Sequence, residues 1–190
     1  MRFTSEDFAH ELCPGCETAV TWTDYLDDNE TCANPDGPGR YVPIGYMPQM
    51  TRIPKPDVQD IDVLFYGSVN YRRSNILGKL SDTGLTVKWL PIGTYGAERD
   101  EWIARSKVVL NVHFYTPGVM EIVRLSYLWA NRKCVVTECT ADTAGSHYDE
   151  LVDACVEFVK DDAMRAEAEL RCFRLVQLIR EDDVLREALR

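Results

Sequence analysis

The chain of 190 residues has no long apolar run. Nothing in it approaches the roughly 18 consecutive apolar residues that span a bilayer, so no membrane span is expected. Its opening, Met1-Arg2-Phe3-Thr4-Ser5-Glu6-Asp7, lacks the basic-then-apolar order of a secretory signal. Positive charge is scarce too: 21 Lys and Arg stand against 31 Asp and Glu, a formal charge of -10. Proteins that follow a nucleic-acid backbone regardless of sequence need a basic surface, so nucleic acid is not an expected partner. A small local anion site remains compatible with that charge. The three-glycine dinucleotide fingerprint is missing, as are internal repeats and low-complexity tracts.

What is present points to a folded domain. Hydrophobic residues make up 45% of the chain, enough for a core and against wholesale disorder. The length fits one domain, or one domain plus an arm. Seven cysteines form an odd count, which with no export signal predicts free thiols and a cytoplasmic location. Cys134, Cys155 and Cys172 sit among apolar neighbours and read as small core residues. Cys13, Cys16 and Cys32, with His10 nearby, have the ligand types of a zinc knuckle. Their spacing is loose, no second Cys-x-x-Cys follows, and the segment reads equally as a turn; no metal is expected. A thioredoxin-like role would need a following helix in a βαβ unit, and residues 17–21 run instead into a short strand candidate.

The two parts of the chain differ in pattern. Residues 13–60 hold seven of the nine prolines and few apolar runs. They read as an irregular arm, with a capped helix before them up to about Leu12, a short strand at 19–22 and an extended linker over 47–59. From 60 onward, strand-like and helix-like patterns alternate. Strands are predicted at 61–66, 85–90, 108–112 and 134–137. Helices are predicted at 70–80, 98–105, 119–131, 148–160, 163–180 and 183–189. Strands separated by helices mean βαβ units and a parallel sheet with helices on both faces. The expected fold is therefore α/β: an arm over 1–59 and a Rossmann-like parallel sheet flanked by helices over 60–190.

In such sheets ligands bind at the carboxyl ends of the strands. The segments 67–73, 93–99 and 113–124 become candidates on that ground. Gly67 and Ser68 with Arg72 and Arg73 suit a diphosphate: glycine permits close backbone approach, a helix N-terminus offers N–H groups, and arginine adds bidentate bonds. They serve equally as a turn followed by two solvated arginines. His113 follows the third strand and reads either as a core-rim histidine or as a donor to phosphate or hydroxyl. Glu121 and Arg124 share a helix face, as an ion pair or as a hydroxyl acceptor beside a phosphate ligand. Tyr95 and Tyr115 lie on loops at the same edge, where they could stack on a base or simply pack.

These segments together resemble the group-1-like glycosyltransferases of the GT-B type. The resemblance rests on Asp60-Ile61-Asp62-Val63-Leu64-Phe65-Tyr66-Gly67-Ser68 with Arg72-Arg73, on Tyr95-Gly96-Ala97-Glu98-Arg99-Asp100 and on Ile103 through His113. It continues in Glu121-Ile122-Val123-Arg124-Leu125-Ser126-Tyr127-Leu128, Asn131-Arg132-Lys133 and Tyr148-Asp149-Glu150-Leu151-Val152. Tyr41 to Tyr46 looks like the family's interdomain crossing, and Trp22-Thr23-Asp24-Tyr25 like the end of its first domain. The resemblance implies the donor-binding half of such an enzyme, taking a nucleotide-diphosphate sugar as substrate and no cofactor or metal. It places Gly67, Ser68 and Arg72 near the donor phosphates, with His113, Glu121 and Arg124 lining the same cleft; Arg73 and Tyr95 complete the set of expected donor-binding residues. Most of the acceptor-binding first domain has no counterpart, and 140–147 is brief where the family has another strand. No catalytic residue is assigned, and the acceptor is unknown. A homo-oligomer or a partner chain supplying the missing domain fits that gap. The alternative is a non-catalytic interaction module derived from such a half-domain.

Overall fold

The computed structural model of the chain describes residues 44–115, 121–139 and 145–188. The first helix, the strand at 19–22 and the cluster of His10, Cys13, Cys16 and Cys32 lie outside the described residues. So do the Trp22 to Tyr25 segment and the first part of the expected crossing. The chain divides into two compact units. Residues 48–178 form one; residues 44–47 and 179–188 belong to the other.

The larger unit is built on four parallel strands: β1 (Ile61–Tyr66), β2 (Val87–Leu90), β3 (Ser106–Asn111) and β4 (Cys134–Thr137). Their order is β2-β1-β3-β4. Between and after them run α1 (Tyr71–Ser81), α2 (Gly96–Arg105), α3 (Ile122–Ala130), α4 (Leu151–Lys160) and α5 (Asp162–Val176). The fold is thus α/β, Rossmann-like, with helices on both sides of the sheet. Among the described residues no helix is long and apolar enough to cross a membrane.

The alternation within β1 explains the layering. Val63 and Phe65 face Ile76 and Leu80 of α1 and Leu151 and Cys155 of α4. Leu64 and Tyr66 face the other way, toward Ile103 of α2 and Leu128 of α3. A strand covered on both faces needs a nearly continuous apolar run, and Ile-Asp-Val-Leu-Phe-Tyr supplies one. Full burial of Phe65 or Leu64 contributes about 2–3 kcal/mol each relative to exposure. The far edge at β4 packs against α5.

Local signals set the helix starts. The Asn70 side chain accepts from Arg73 N at 3.0 Å and caps α1. Asp161 does the same for α5 through Met164 N at 2.9 Å. The structure shortens β2 by two residues, because Thr86 turns its N–H to the Asp62 carboxylate. It starts β3 at Ser106, whose hydroxyl donates to Ile103 O and closes α2 directly onto the strand. The helix expected over 148–160 is a 3-10 turn, Tyr148–Glu150, followed by α4. Among the described residues the sheet has four strands, and Ser146 adds a single parallel bridge to Glu138.

The segment expected to be an extended linker is fastened down. After a 3-10 turn at Pro48–Met50, residues 51–53 lie on the end of α3. The Asn131 amide holds them: its oxygen accepts from Arg52 N and Ile53 N, each at 2.8 Å, and its nitrogen donates to Met50 O and Tyr127 O, each at 2.8 Å. Every hydrogen-bonding position of that side chain is filled. Arg52 continues the anchor by donating to Asp100 and to the Tyr127 hydroxyl. Burial, the bond to Asp100 and the opposing Arg52 leave the Tyr127 phenol pushed up to about 12.

In the smaller unit Tyr46 forms a parallel bridge with Arg180 at the start of α6 (Glu181–Ala188). Gly45 N donates to the Glu181 carboxylate at 2.7 Å. A side chain at Gly45 would run into the backbone of Glu181 and Arg180, so the close approach demands glycine.

Candidate functional site

The connection from β1 through α1 to β2 moves outward on one side, and the next one, through α2, returns past β1 to place β3 on its other side. The strand order therefore reverses between β1 and β3. The crevice outside the carboxyl ends of these two strands is where open α/β sheets bind ligands. The residues there are Tyr66 at the end of β1 and Gly67 after it, and Asn111 to Tyr115 at and after β3. The starts of α1, α2 and α3 surround them.

Gly67 sits at φ +128, a left-handed conformation that only glycine adopts without strain. A Cβ at this position would stand 3.3 Å from Arg124 Nη2 and 3.5 Å from Arg73 Nη1. Two guanidiniums thus crowd the bare backbone at the end of β1. Ser68 is exposed, and its carbonyl accepts from Arg73 Nη1 at 2.9 Å.

The two arginines of α1 are both engaged. Arg72 reaches the Glu138 carboxylate with both Nη atoms, donates to His113 O at 3.1 Å and stacks on Tyr148 at 4.1 Å. Its pKa is raised by Glu138. Arg73 is buried, 3% exposed. Its Nε donates to Val112 O at 2.8 Å and its Nη2 to Glu121 at 3.1 Å, between the rings of Phe65 and Phe114. Burial lowers its pKa, against the pull of Glu121. These contacts knit the ends of β1 and β3 together.

Arg124 and Arg99 are placed differently. Arg124 donates to Asn111 Oδ1 at 2.7 Å, lies 3.7 Å from the Glu121 carboxylate, and stands 4.8 Å over the Tyr66 ring. Asn111 is itself buried and donates to Thr137 Oγ1, so its carbonyl oxygen is aimed. Arg99 approaches the same Tyr66 ring at 5.4 Å and the Tyr95 ring at 5.7 Å. Its Nε is buried with no hydrogen-bond partner, and among the described residues no carboxylate pairs with it. Arg73 and Arg124 thus share one carboxylate, Glu121, and Arg99 joins Arg124 on the Tyr66 ring with no carboxylate of its own among the described residues, leaving a surplus of positive charge in a protein of net charge -10.

The structure brings all nine residues singled out in the sequence to this end of the sheet. Gly67, Ser68, Arg73, Glu121 and Arg124 form one contact group, and Tyr95 joins it through Arg99. Arg72 and His113 form a second group around Glu138, whose carboxylate accepts from His113 N at 3.0 Å. His113 is 4% exposed and its Nε2 has no partner. Tyr115 is 63% exposed and packs edge-on against Phe114. Sequence reasoning missed Arg99, Asn111, Glu138 and Tyr66. Arg99 and Tyr66 stand in the quoted motifs, but nothing in the spacing says that their side chains meet.

Among the described residues four buried polar side-chain atoms lack a hydrogen-bond partner: Arg99 Nε, His113 Nε2, Glu121 Oε2 and Glu169 Oε1. Three of the four lie at this end. Buried groups left unsatisfied cost about 1–3 kcal/mol each, so their clustering makes this end the candidate site, where ordered water or a ligand completes the bonding. No cluster of metal-ligating side chains occurs among the described residues.

No protein-family profile matches the chain, and no solved structure matches it. It is similar to two uncharacterized proteins of Acanthamoeba polyphaga mimivirus. One is 35% identical over 96 residues, covering 50% of this chain and 10% of its own length. The other is 31% identical over 96 residues, covering 48% of this chain and 13% of its own length. The chain thus spans about a tenth of the length of these relatives, and the likeness is that of a segment shared with much longer proteins.

Proposed function

We propose that the larger unit binds the diphosphate of a nucleotide-sugar donor, as the donor half of a glycosyltransferase-like protein. The observation that carries the reading is the cationic, partly unsatisfied crevice at the strand-order reversal. Its chemistry suits a diphosphate. Gly67 lets an anion approach the backbone, the arginines donate charge-assisted hydrogen bonds, and the carboxylate of Glu121 accepts from hydroxyls. Departure of a nucleoside diphosphate builds negative charge on the leaving oxygen, and fixed guanidiniums there lower the barrier. In this reading the arginines, not a metal, supply the positive charge, and the exposed Tyr95 and Tyr115 are available to a base.

The test is a thermal shift series with a panel of nucleotide-diphosphate sugars at millimolar concentration. A ligand that binds only the folded state adds about 1.4 kcal/mol at ten times its Kd, so a hit raises Tm by several degrees. No shift with any member ends the reading.

One observation favours a second reading, that of an interaction module. Ile92, Tyr95, Tyr115 and Val123, all more than half exposed, rim the crevice with apolar surface suited to a protein partner. Sugar transfer by the purified chain alone would remove that alternative.

A further inference from the structure

The family resemblance gives the anion-binding duty to the arginines that open α1. The geometry points elsewhere. Arg72 is committed to Glu138, His113 O and Tyr148, and Arg73 to two backbone carbonyls and Glu121. Neither can turn to a ligand without breaking the contacts that tie α1 to the ends of the strands. Two other guanidiniums keep open donors: Arg99 from α2 and Arg124 from α3.

These two arginines come from different helices yet share one support. The Tyr66 ring, 8% exposed at the last position of β1, carries Arg124 at 4.8 Å and Arg99 at 5.4 Å. An aromatic face holds a guanidinium without consuming its N–H donors, unlike a carboxylate, which would pair with them. Asn111 fixes the second arginine through a single Nη1 bond, while Nη2 points toward bare Gly67. The arrangement is a pair of cations, Arg99 with no carboxylate partner among the described residues and Arg124 sharing Glu121, at 3.7 Å, with Arg73, next to backbone that an anion can reach.

We propose that Arg99 and Arg124 form a clamp for a phosphate-class dianion beside Gly67, and that Tyr66 is the positioning residue that sets both guanidiniums. The inference rests on the donor-binding reading for the ligand's identity and stands on its own for the anion. It also separates duties: Arg72 and Arg73 hold the crevice together, and Arg99 and Arg124 face what enters it.

The experiment is calorimetric titration of the full chain with inorganic pyrophosphate at low and high salt, for the wild type and four variants. The wild type binds, and more weakly in high salt, as an accessible charge pair must. Arg99→Met loses about tenfold or more in affinity with Tm unchanged, in line with the loss of charge-assisted bonds. Tyr66→Phe keeps the ring and stays within about twofold of wild type, whereas Tyr66→Leu falls about tenfold, since a stacked cation is worth roughly that when desolvated. Arg72→Met lowers Tm and leaves pyrophosphate affinity within about twofold, because its bonds are structural. Undiminished affinity in Arg99→Met overturns the clamp, and so does a wild type that ignores pyrophosphate. A Tyr66→Phe variant as weak as Tyr66→Leu overturns the positioning role, since the hydroxyl would then be the acting group. Pyrophosphate binding without any nucleotide-sugar response leaves the clamp and ends the donor reading. Nucleotide-sugar binding that Arg99→Met does not weaken does the reverse.

Discussion

The two ends of the sheet treat charge in opposite ways. At the amino end nearly every ionic group has a partner. Lys107 pairs with Asp62 at 2.8 Å, Arg105 with Asp60, and Lys55 with Glu169. The buried Lys133 donates to Ser106 O at 2.6 Å, at the foot of β3 where α2 has just ended, and Gln59 reaches the same carbonyl. At the carboxyl end Arg73 and Arg124 share one carboxylate, Arg99 has none among the described residues, three buried polar atoms lack a hydrogen-bond partner, and aromatic side chains reach solvent. Closed bonding serves stability, and open bonding is retained where something binds. The contrast teaches which end to probe for function and which for folding.

Arg73 gives the largest expected effect because it crosses that division. It sits at the open end but is bonded like a residue of the closed one. Arg73→Met leaves two carbonyls without their donor and Glu121 with only the longer contact to Arg124, and is expected to cost about 3–5 kcal/mol, read by urea unfolding. A cost under about 1 kcal/mol would show that the crevice is not held by this residue. Asn131→Ala follows at about 2–3 kcal/mol, since four hydrogen bonds to the 50–53 segment and α3 go with it. That variant leaves pyrophosphate affinity of the folded protein unchanged.

Lys133 supplies a pH test at the closed end. Burial brings its pKa down to about 8, against the attraction of Glu169. The unfolded chain therefore holds this proton to higher pH than the folded one. The group's contribution to stability rises as pH climbs from about 8 toward the ordinary lysine value, with a slope of at most about 1.4 kcal/mol per pH unit. Lys133→Met removes that rise, which is measured as the difference in unfolding free energy between the two proteins from pH 7 to 10. Equal slopes would refute the assignment. The smallest effect on stability belongs to Arg99→Met, within about 0.5 kcal/mol, because that side chain has no ion-pair partner to lose.

The fold was legible because its signals are local and repeated. The run Ile61–Tyr66 and the run Cys134–Thr137 are strands within the residues that the pattern marks, and Asn70 and Gly84 bracket α1 as capping and stop residues do. Free cysteines are found at positions 134, 139, 155 and 172, with burial raising the pKa of Cys134 to about 12 and that of Cys155 further upward. The candidate site was legible as a set of strand ends, while the reversal of order that narrows it to the β1–β3 crevice is visible only in the sheet topology. Its division of labour was not. Whether an arginine is free or committed depends on Glu138, Val112 O and Ser68 O, which are distant in sequence from Arg72 or brought round by tertiary folding. The same limit hid the Asn131 anchor, where a residue some 80 positions away holds a proline-rich stretch that composition alone marks as a spacer.

The most direct test is a crystal structure of the chain soaked with a nucleoside diphosphate. The terminal phosphate is expected beside Gly67, within hydrogen-bond reach of Arg99 and Arg124, with Arg72 still on Glu138 and Arg73 still on Val112 O. A diphosphate bound by Arg72 and Arg73 with those contacts broken, or bound away from the β1–β3 crevice, would contradict this placement.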